Sequence, residues 1–159
     1  MLFAEVERFL ISYFPESDEM VSKVEEMCAW LRSKGYDVLM DKMASVEIAS
    51  LGRDRWIQQQ ITRAKKILIV KSAGYLKLYV QDLEGVGGPV SRHRVEVRCV
   101  SDEYYKTLNR SKFIWIETEG CKKVQELDGP PWMEDVFLWP SDHEKLLLRM
   151  SDKNTIEIV

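Results

Sequence analysis

Few residues of this chain are arranged to do chemistry, and the densest set lies in one helical stretch, from about Arg92 to Leu108. Arg92, Arg94 and Arg98 make its first half basic, and Asp102 and Glu103 make its second half acidic. That order opposes the helix dipole, which favours acids at the N-terminus and bases at the C-terminus. A helix that accepts such a local cost has a use for its surface. Split charge would let it pair with a complementary partner and fix the orientation of the pair. The arginines alone would suit RNA phosphates, but a net charge of −3 weighs against a dedicated nucleic-acid binder. The plain alternative is a solvated helix face.

Other chemistries lack their residues. The two histidines, His93 and His143, and the well-separated Cys28, Cys99 and Cys121 give no zinc set. An odd number of distant cysteines reads as free thiols, which fits a reducing compartment. His93, between Arg92 and Arg94, suits a solvated or binding face, and His143 an exposed one. A phosphoryl-accepting site needs acids after the first and third strands and a lysine after the fifth. Those places hold Ser12-Tyr13, Lys71-Ser72 and Pro140-Ser141, so neither an acceptor nor a magnesium cage is present. The turn Phe14-Pro15-Glu16-Ser17-Asp18-Glu19 is acidic and would repel a phosphate. Gly85-Val86-Gly87-Gly88 does not directly follow a strand and reads as a flexible loop. No serine–histidine–acid arrangement is legible. These residues lead us to expect no metal, no cofactor and no catalysis.

The elements that must position the charged helix alternate along the chain. Arg8 to Tyr13 is a β-branched and aromatic strand stopped by Pro15. Ser17 is an N-cap candidate, followed by the acids Asp18 and Glu19. Met20, Val24, Met27 and Leu31 recur at helical spacing, and Gly35 predicts a left-handed cap. Asp37 to Met40 is a second strand, and Asp41 to Leu51 is irregular or briefly helical. A helix from about Asp54 to Lys65 would bury Trp56, Ile57, Ile61 and Ala64. Ile67 to Val70 is apolar at every position, as a strand buried on both faces should be. Ser72 to Ser91 reads as a partly helical excursion ending in a mobile loop. Strands at Phe113 to Ile116 and Val136 to Trp139 follow, with a short helix from Cys121 to Leu127 between them. Ser141-Asp142-His143-Glu144 reads as a capping box for the last helix.

Five such alternations predict an α/β fold with a parallel sheet and helices on both faces. The flavodoxin-like order 2-1-3-4-5 is the most economical arrangement. One domain over residues 1–159 is expected, with its core at about 8–150. No apolar run approaches the roughly 20 residues that cross a bilayer, and the acidic N-terminus does not resemble a secretory leader.

Read in order, several stretches resemble SEFIR domains, relatives of TIR domains. Phe9-Leu10-Ile11-Ser12-Tyr13 before an acidic helix start resembles the first box that the two groups share. Trp56-Ile57 and Ile67-Leu68-Ile69-Val70-Lys71-Ser72 look like further SEFIR positions. Gln81-Asp82-Leu83-Glu84-Gly85, the tract from Pro131-Trp132, and Leu138-Trp139-Pro140 before Leu146-Leu147-Leu148-Arg149 look like the CIKS-like adaptor branch. The resemblance runs from about Arg8 to Met150. It implies a cytoplasmic module of interleukin-17-type signalling that associates with SEFIR domains of receptors or adaptors, a second copy of the chain included. It also implies a role in association for the helix of Arg92, Arg94, Arg98, Asp102 and Glu103. Where many TIR domains carry a glycine-proline recognition loop, this chain has Asp41-Lys42-Met43-Ala44. That departure favours SEFIR over TIR, and it makes Lys42 and the adaptable Met43 a second candidate contact. Some TIR relatives cleave NAD with a glutamate on the helix before strand four. Glu103 is the nearest candidate here, although a lone glutamate on a charged helix reads first as a solvated side chain.

Overall fold

A computed structural model describes residues 7–85, 87, 91–120 and 129–151. The expected helix at Cys121 to Leu127, together with Gly88 and Pro89 of the glycine-rich loop, lies outside the described residues. The strands are β1 (Arg8–Ser12), β2 (Asp37–Leu39), β3 (Lys66–Val70), β4 (Phe113–Thr118) and β5 (Val136–Trp139). The helices are α1 (Asp18–Ser33), α2 (Ser45–Leu51), α3 (Arg53–Arg63), α4 (Ala73–Leu83), α5 (Arg92–Thr107) and α6 (His143–Ser151). Short 3-10 turns occupy Asp41–Met43 and Arg110–Lys112. The stretch left open between Asp41 and Leu51 is therefore mostly helical.

The sheet is five-stranded and parallel throughout, in the order β2-β1-β3-β4-β5. Its middle strand is β3, buried along its whole length, which accounts for the unbroken apolar run from Ile67 to Val70. Alternate residues of that run serve opposite faces. Leu68 and Val70 join Phe9, Ile11, Val24, Leu31 and Leu146 under α1 and α6. Ile67 and Ile69 join Leu10, Trp56, Ile57, Val97 and Val100 under α3, α4 and α5. Each such side chain, fully removed from water, contributes about 1.5–3 kcal/mol before entropy is counted.

The helix ends follow from local chemistry. Ser17 accepts a hydrogen bond from the Met20 amide at 3.2 Å, capping α1. At the other end, Gly35 adopts φ +94°. There its amide reaches the Arg32 carbonyl and that of Tyr36 reaches Leu31, the double bond that closes a helix through a left-handed residue. The capping box expected at Ser141 is not formed. Helix α6 starts at His143, so Asp142 precedes it, and the Asp142 carboxylate accepts from the Leu138 amide at 2.8 Å. The Ser141 amide is turned away to Glu119.

Candidate functional site

In a sheet of this order the chain leaves β1 for β2 on one side and later returns to β3 on the other. The carboxyl ends of β1 and β3 flank that reversal, where open α/β sheets place their ligands. Ser12, the last residue of β1, is fully buried there. Its hydroxyl donates to Glu96 Oε2 of α5 at 2.7 Å, and the Tyr75 hydroxyl of α4 lies 2.9 Å from it. With its single proton committed to the carboxylate, Ser12 accepts from Tyr75. The other oxygen, Glu96 Oε1, accepts from Arg53 Nη2 at 2.8 Å.

Arg53 is the first residue of α3, and it bridges two acids. Its Nη1 donates to Asp41 Oδ2 at 3.2 Å, and the Tyr13 hydroxyl donates to Asp41 Oδ1 at 2.7 Å. Five segments thus meet at one cluster: the end of β1, the 3-10 turn after β2, and helices α3, α4 and α5. Glu96 is 4% exposed. Burial is the main force pushing its carboxyl up to about 7; Ser12 and Arg53 oppose that shift and the nearby Asp41 charge adds to it. This carboxyl therefore holds or releases a proton near neutral pH.

Phe14 and His93 lie beside the cluster, edge to face with ring centroids 5.2 Å apart. His93 is not the solvated residue its arginine neighbours suggest. It is partly buried, its Nδ1 finds no partner, and burial together with Arg53 and Arg92 lowers its pKa. The acidic turn after β1 has an internal partner as well, because Glu16 accepts from the Gly74 amide at 2.9 Å at the start of α4. A Cβ on Gly74 would collide with Glu16 and Phe14, so the close approach of this turn to α4 requires glycine.

The residues singled out from the sequence are distributed differently. Arg92 and Asp102 are exposed on α5. Arg98 is exposed too, yet both its Nε and Nη2 donate to Asp82 Oδ1, at 2.9 and 2.7 Å. Arg94 is buried, 6% exposed, with Nε 3.4 Å from the same Asp82 oxygen and Nη2 donating to the Gln81 carbonyl at 3.3 Å. The basic start of α5 is thus compensated by the end of α4, which removes the need for a partner to explain the inverted charge. Glu103 is not solvated. It is 7% exposed and accepts from Lys112 Nζ at 2.7 Å, while the same ammonium reaches the Thr62 carbonyl at 3.3 Å. Lys112 immediately precedes β4, so Glu103 sits at the amino end of the sheet, opposite the ligand-binding end. Lys42 is exposed and pairs with Glu25 at 2.9 Å, and Met43 is 47% exposed.

Sequence reasoning missed Glu96 and Arg53. A signal for Glu96 exists: it stands four residues before Val100 and seven before Glu103, on the buried side of α5. Among the described residues no three ligating side chains gather to hold a metal ion. Cys28 and Cys99 are free thiols, and burial pushes both pKa values up.

Comparison with known proteins now gives this geometry a family. The model of the SEFIR domain matches residues 7–150. The chain belongs to the SEFIR family. A prokaryotic SEFIR domain superposes with a TM-score of 0.59 at 21% identity, covering 92% of this chain and 88% of that one. The SEFIR domain of interleukin-17 receptor B superposes with a TM-score of 0.60 at 13% identity, covering 91% of this chain and 93% of that one. At these identities the two structures establish the shared fold. No curated protein sequence gives a significant match. This SEFIR domain is thus a TIR-like, flavodoxin-like signalling module. Among the described residues no helix is long and apolar enough to cross a membrane.

Proposed function

We propose that this SEFIR domain works in the cytoplasm, without catalysis, by docking onto a SEFIR domain of an interleukin-17-type receptor or adaptor or onto a second copy of itself. The observation that carries the reading is the segment from the 3-10 turn through α2. Met43 is 47% exposed, Val46 81% and Leu51 40%, and α2 buries none of its residues. Among the described residues no other stretch this short carries three exposed large apolar side chains. Apolar side chains concentrated in one exposed segment are a mark of contact surface. Lys42 stands at its rim, and the outward residues of α5, Arg92, Arg98 and Asp102, supply charge that orients a partner. Arg94 and Glu103, buried in internal ion pairs, are left out of this surface. The CIKS-like stretches of the sequence support an adaptor over a receptor within this reading.

Binding isotherms with a receptor SEFIR domain and sedimentation of the domain alone test it. Val46→Asp should weaken association about tenfold or more, the usual effect of losing an interface anchor of 1–2 kcal/mol, with an unchanged circular dichroism spectrum. Leu148→Asp, a comparable change on the exposed side of α6, should bind as wild type. Equal affinity of Val46→Asp and wild type would remove this surface from the interface. NAD turnover by the same samples would overturn the non-catalytic reading.

A further inference from the structure

The cluster at the carboxyl end of β1 is mechanically joined to the proposed docking segment. Asp41 opens the 3-10 turn that carries Met43, and its carboxylate is held by Tyr13 at 2.7 Å and by Arg53 at 3.2 Å. Arg53 in turn is held by Glu96 at 2.8 Å and sits directly after Gly52, which ends α2. Both ends of the docking segment are therefore tied to one carboxyl group. The groups facing that carboxyl are Ser12 from β1 and Tyr13 just after it, Asp41 from the turn, Arg53 from α3 and Tyr75 from α4, with Arg92 and His93 nearby on α5 itself.

The hydroxyl chain also follows the state of the carboxyl, and only the ionised state gives every hydroxyl proton an acceptor. When Glu96 is ionised, Tyr75 donates to Ser12 and Ser12 donates to Glu96. When Glu96 carries a proton, the chain reverses: Glu96 donates to Ser12, Ser12 donates to Tyr75, and Arg53 loses the opposite charge at one end of its bridge. Burial lifts the carboxyl to about 7, which puts the change of state in the physiological range.

We propose that Glu96 is a proton-operated latch on the docking surface: ionised, it clamps Arg53 and orders the segment Asp41 to Gly52, and protonated, it releases that segment. This rests on the docking reading above only for its consequence; the latch itself is read from the free domain. Amide hydrogen exchange at pH 6 and pH 8, corrected for intrinsic rates, decides it. The helical amides of Met43, Ala44, Ile48 and Gly52, which bond to Met40, Asp41, Ala44 and Ile48, are the reporters. A group titrating near 7 passes from about one-tenth to about nine-tenths protonated over that interval, so their protection should fall about tenfold at pH 6. Glu96→Gln should show the low-protection level at both pH values, and His93→Gln should keep the wild-type response. Association should weaken at pH 6 in step with protection. Equal wild-type protection at the two pH values overturns the latch, as does a Glu96→Gln protein that still responds. A protein whose exchange shifts but which binds no SEFIR domain overturns the docking reading and leaves the latch standing.

Discussion

Helix α5 buries two glutamates at opposite ends of the same sheet, and their surroundings differ in kind. Glu103, at the amino end, has a cation of its own: Lys112 is buried with it and completes its bonding on the Thr62 carbonyl. Glu96, at the carboxyl end, shares its cation. Arg53 divides itself between Glu96 and Asp41, and its Nε is buried without a partner. A buried charge with a private counterion has one low-energy arrangement and acts as a rivet. A buried charge that shares its counterion across three segments has alternatives. The position of the two along the strands follows the same division, since the carboxyl ends are where such sheets leave room for change.

The comparison breaks most visibly at the rivet. Lys112→Met leaves Glu103 buried without a cation, and the loss of one partner of such a pair costs about 3–5 kcal/mol. Urea denaturation should show that loss, with most of it recovered in the double variant Lys112→Met, Glu103→Leu. If Lys112→Met unfolds at the wild-type midpoint, the pair is not the structural element described here.

The pH profile of stability sharpens the other side. The carboxyl of Glu96 binds its proton more tightly folded than unfolded, because burial raises its pKa from 4.5 to about 7. Its contribution to stability is therefore fully present below about 4.5 and is lost as pH rises through 7. The loss amounts to roughly 1–3 kcal/mol over that window. Chemical denaturation from pH 5 to pH 8 should show the decline in wild type and a flatter profile in Glu96→Gln. A decline of the same size in both proteins would assign the titration to another group.

The smallest effect concerns the arginines of α5. Arg98 is exposed, so Arg98→Glu should change the unfolding free energy by no more than about 1 kcal/mol. Arg94→Glu puts a second acid against Asp82 inside the protein and should destabilise by several times that amount. Thermal melts of the two variants that coincide would mean that α4 and α5 do not hold Arg94 as the structure has it.

Most of the architecture was legible in the sequence because period and punctuation agree. The apolar run Ile67 to Val70 marked the central strand, the Met20, Val24, Met27 and Leu31 stripe marked α1, and Ser17 and Gly35 marked its ends. The charges of α5 misled because like-looking side chains have unlike surroundings. Arg94 and Arg98 are four residues apart, yet one is buried and the other exposed, and both answer to an aspartate on a different helix. Arg53 was invisible for a related reason. Its partners Asp41 and Glu96 are brought to it by the packing of the turn after β2 and of α5 against α3, and no local spacing announces a meeting of five segments. The exposed apolar residues of α2 were unreadable too, since a helix that packs only Ile48 against the core carries no stripe with which to locate it.

The strand order has a consequence for how the chain is made. β1 is the first strand of this sheet to be synthesised, but it is an interior strand, paired with β2 on one edge and β3 on the other. After β2 emerges, the second edge of β1 stays open until Val70 has emerged as well, a wait of a few seconds at about 5–20 residues per second. During that interval the nascent segment offers Phe9, Leu10 and Ile11 along an unpaired edge, a template for strand addition by another chain. A pause in synthesis after Leu39 has emerged and before Lys66 has would lengthen the time for which that edge stays unpaired.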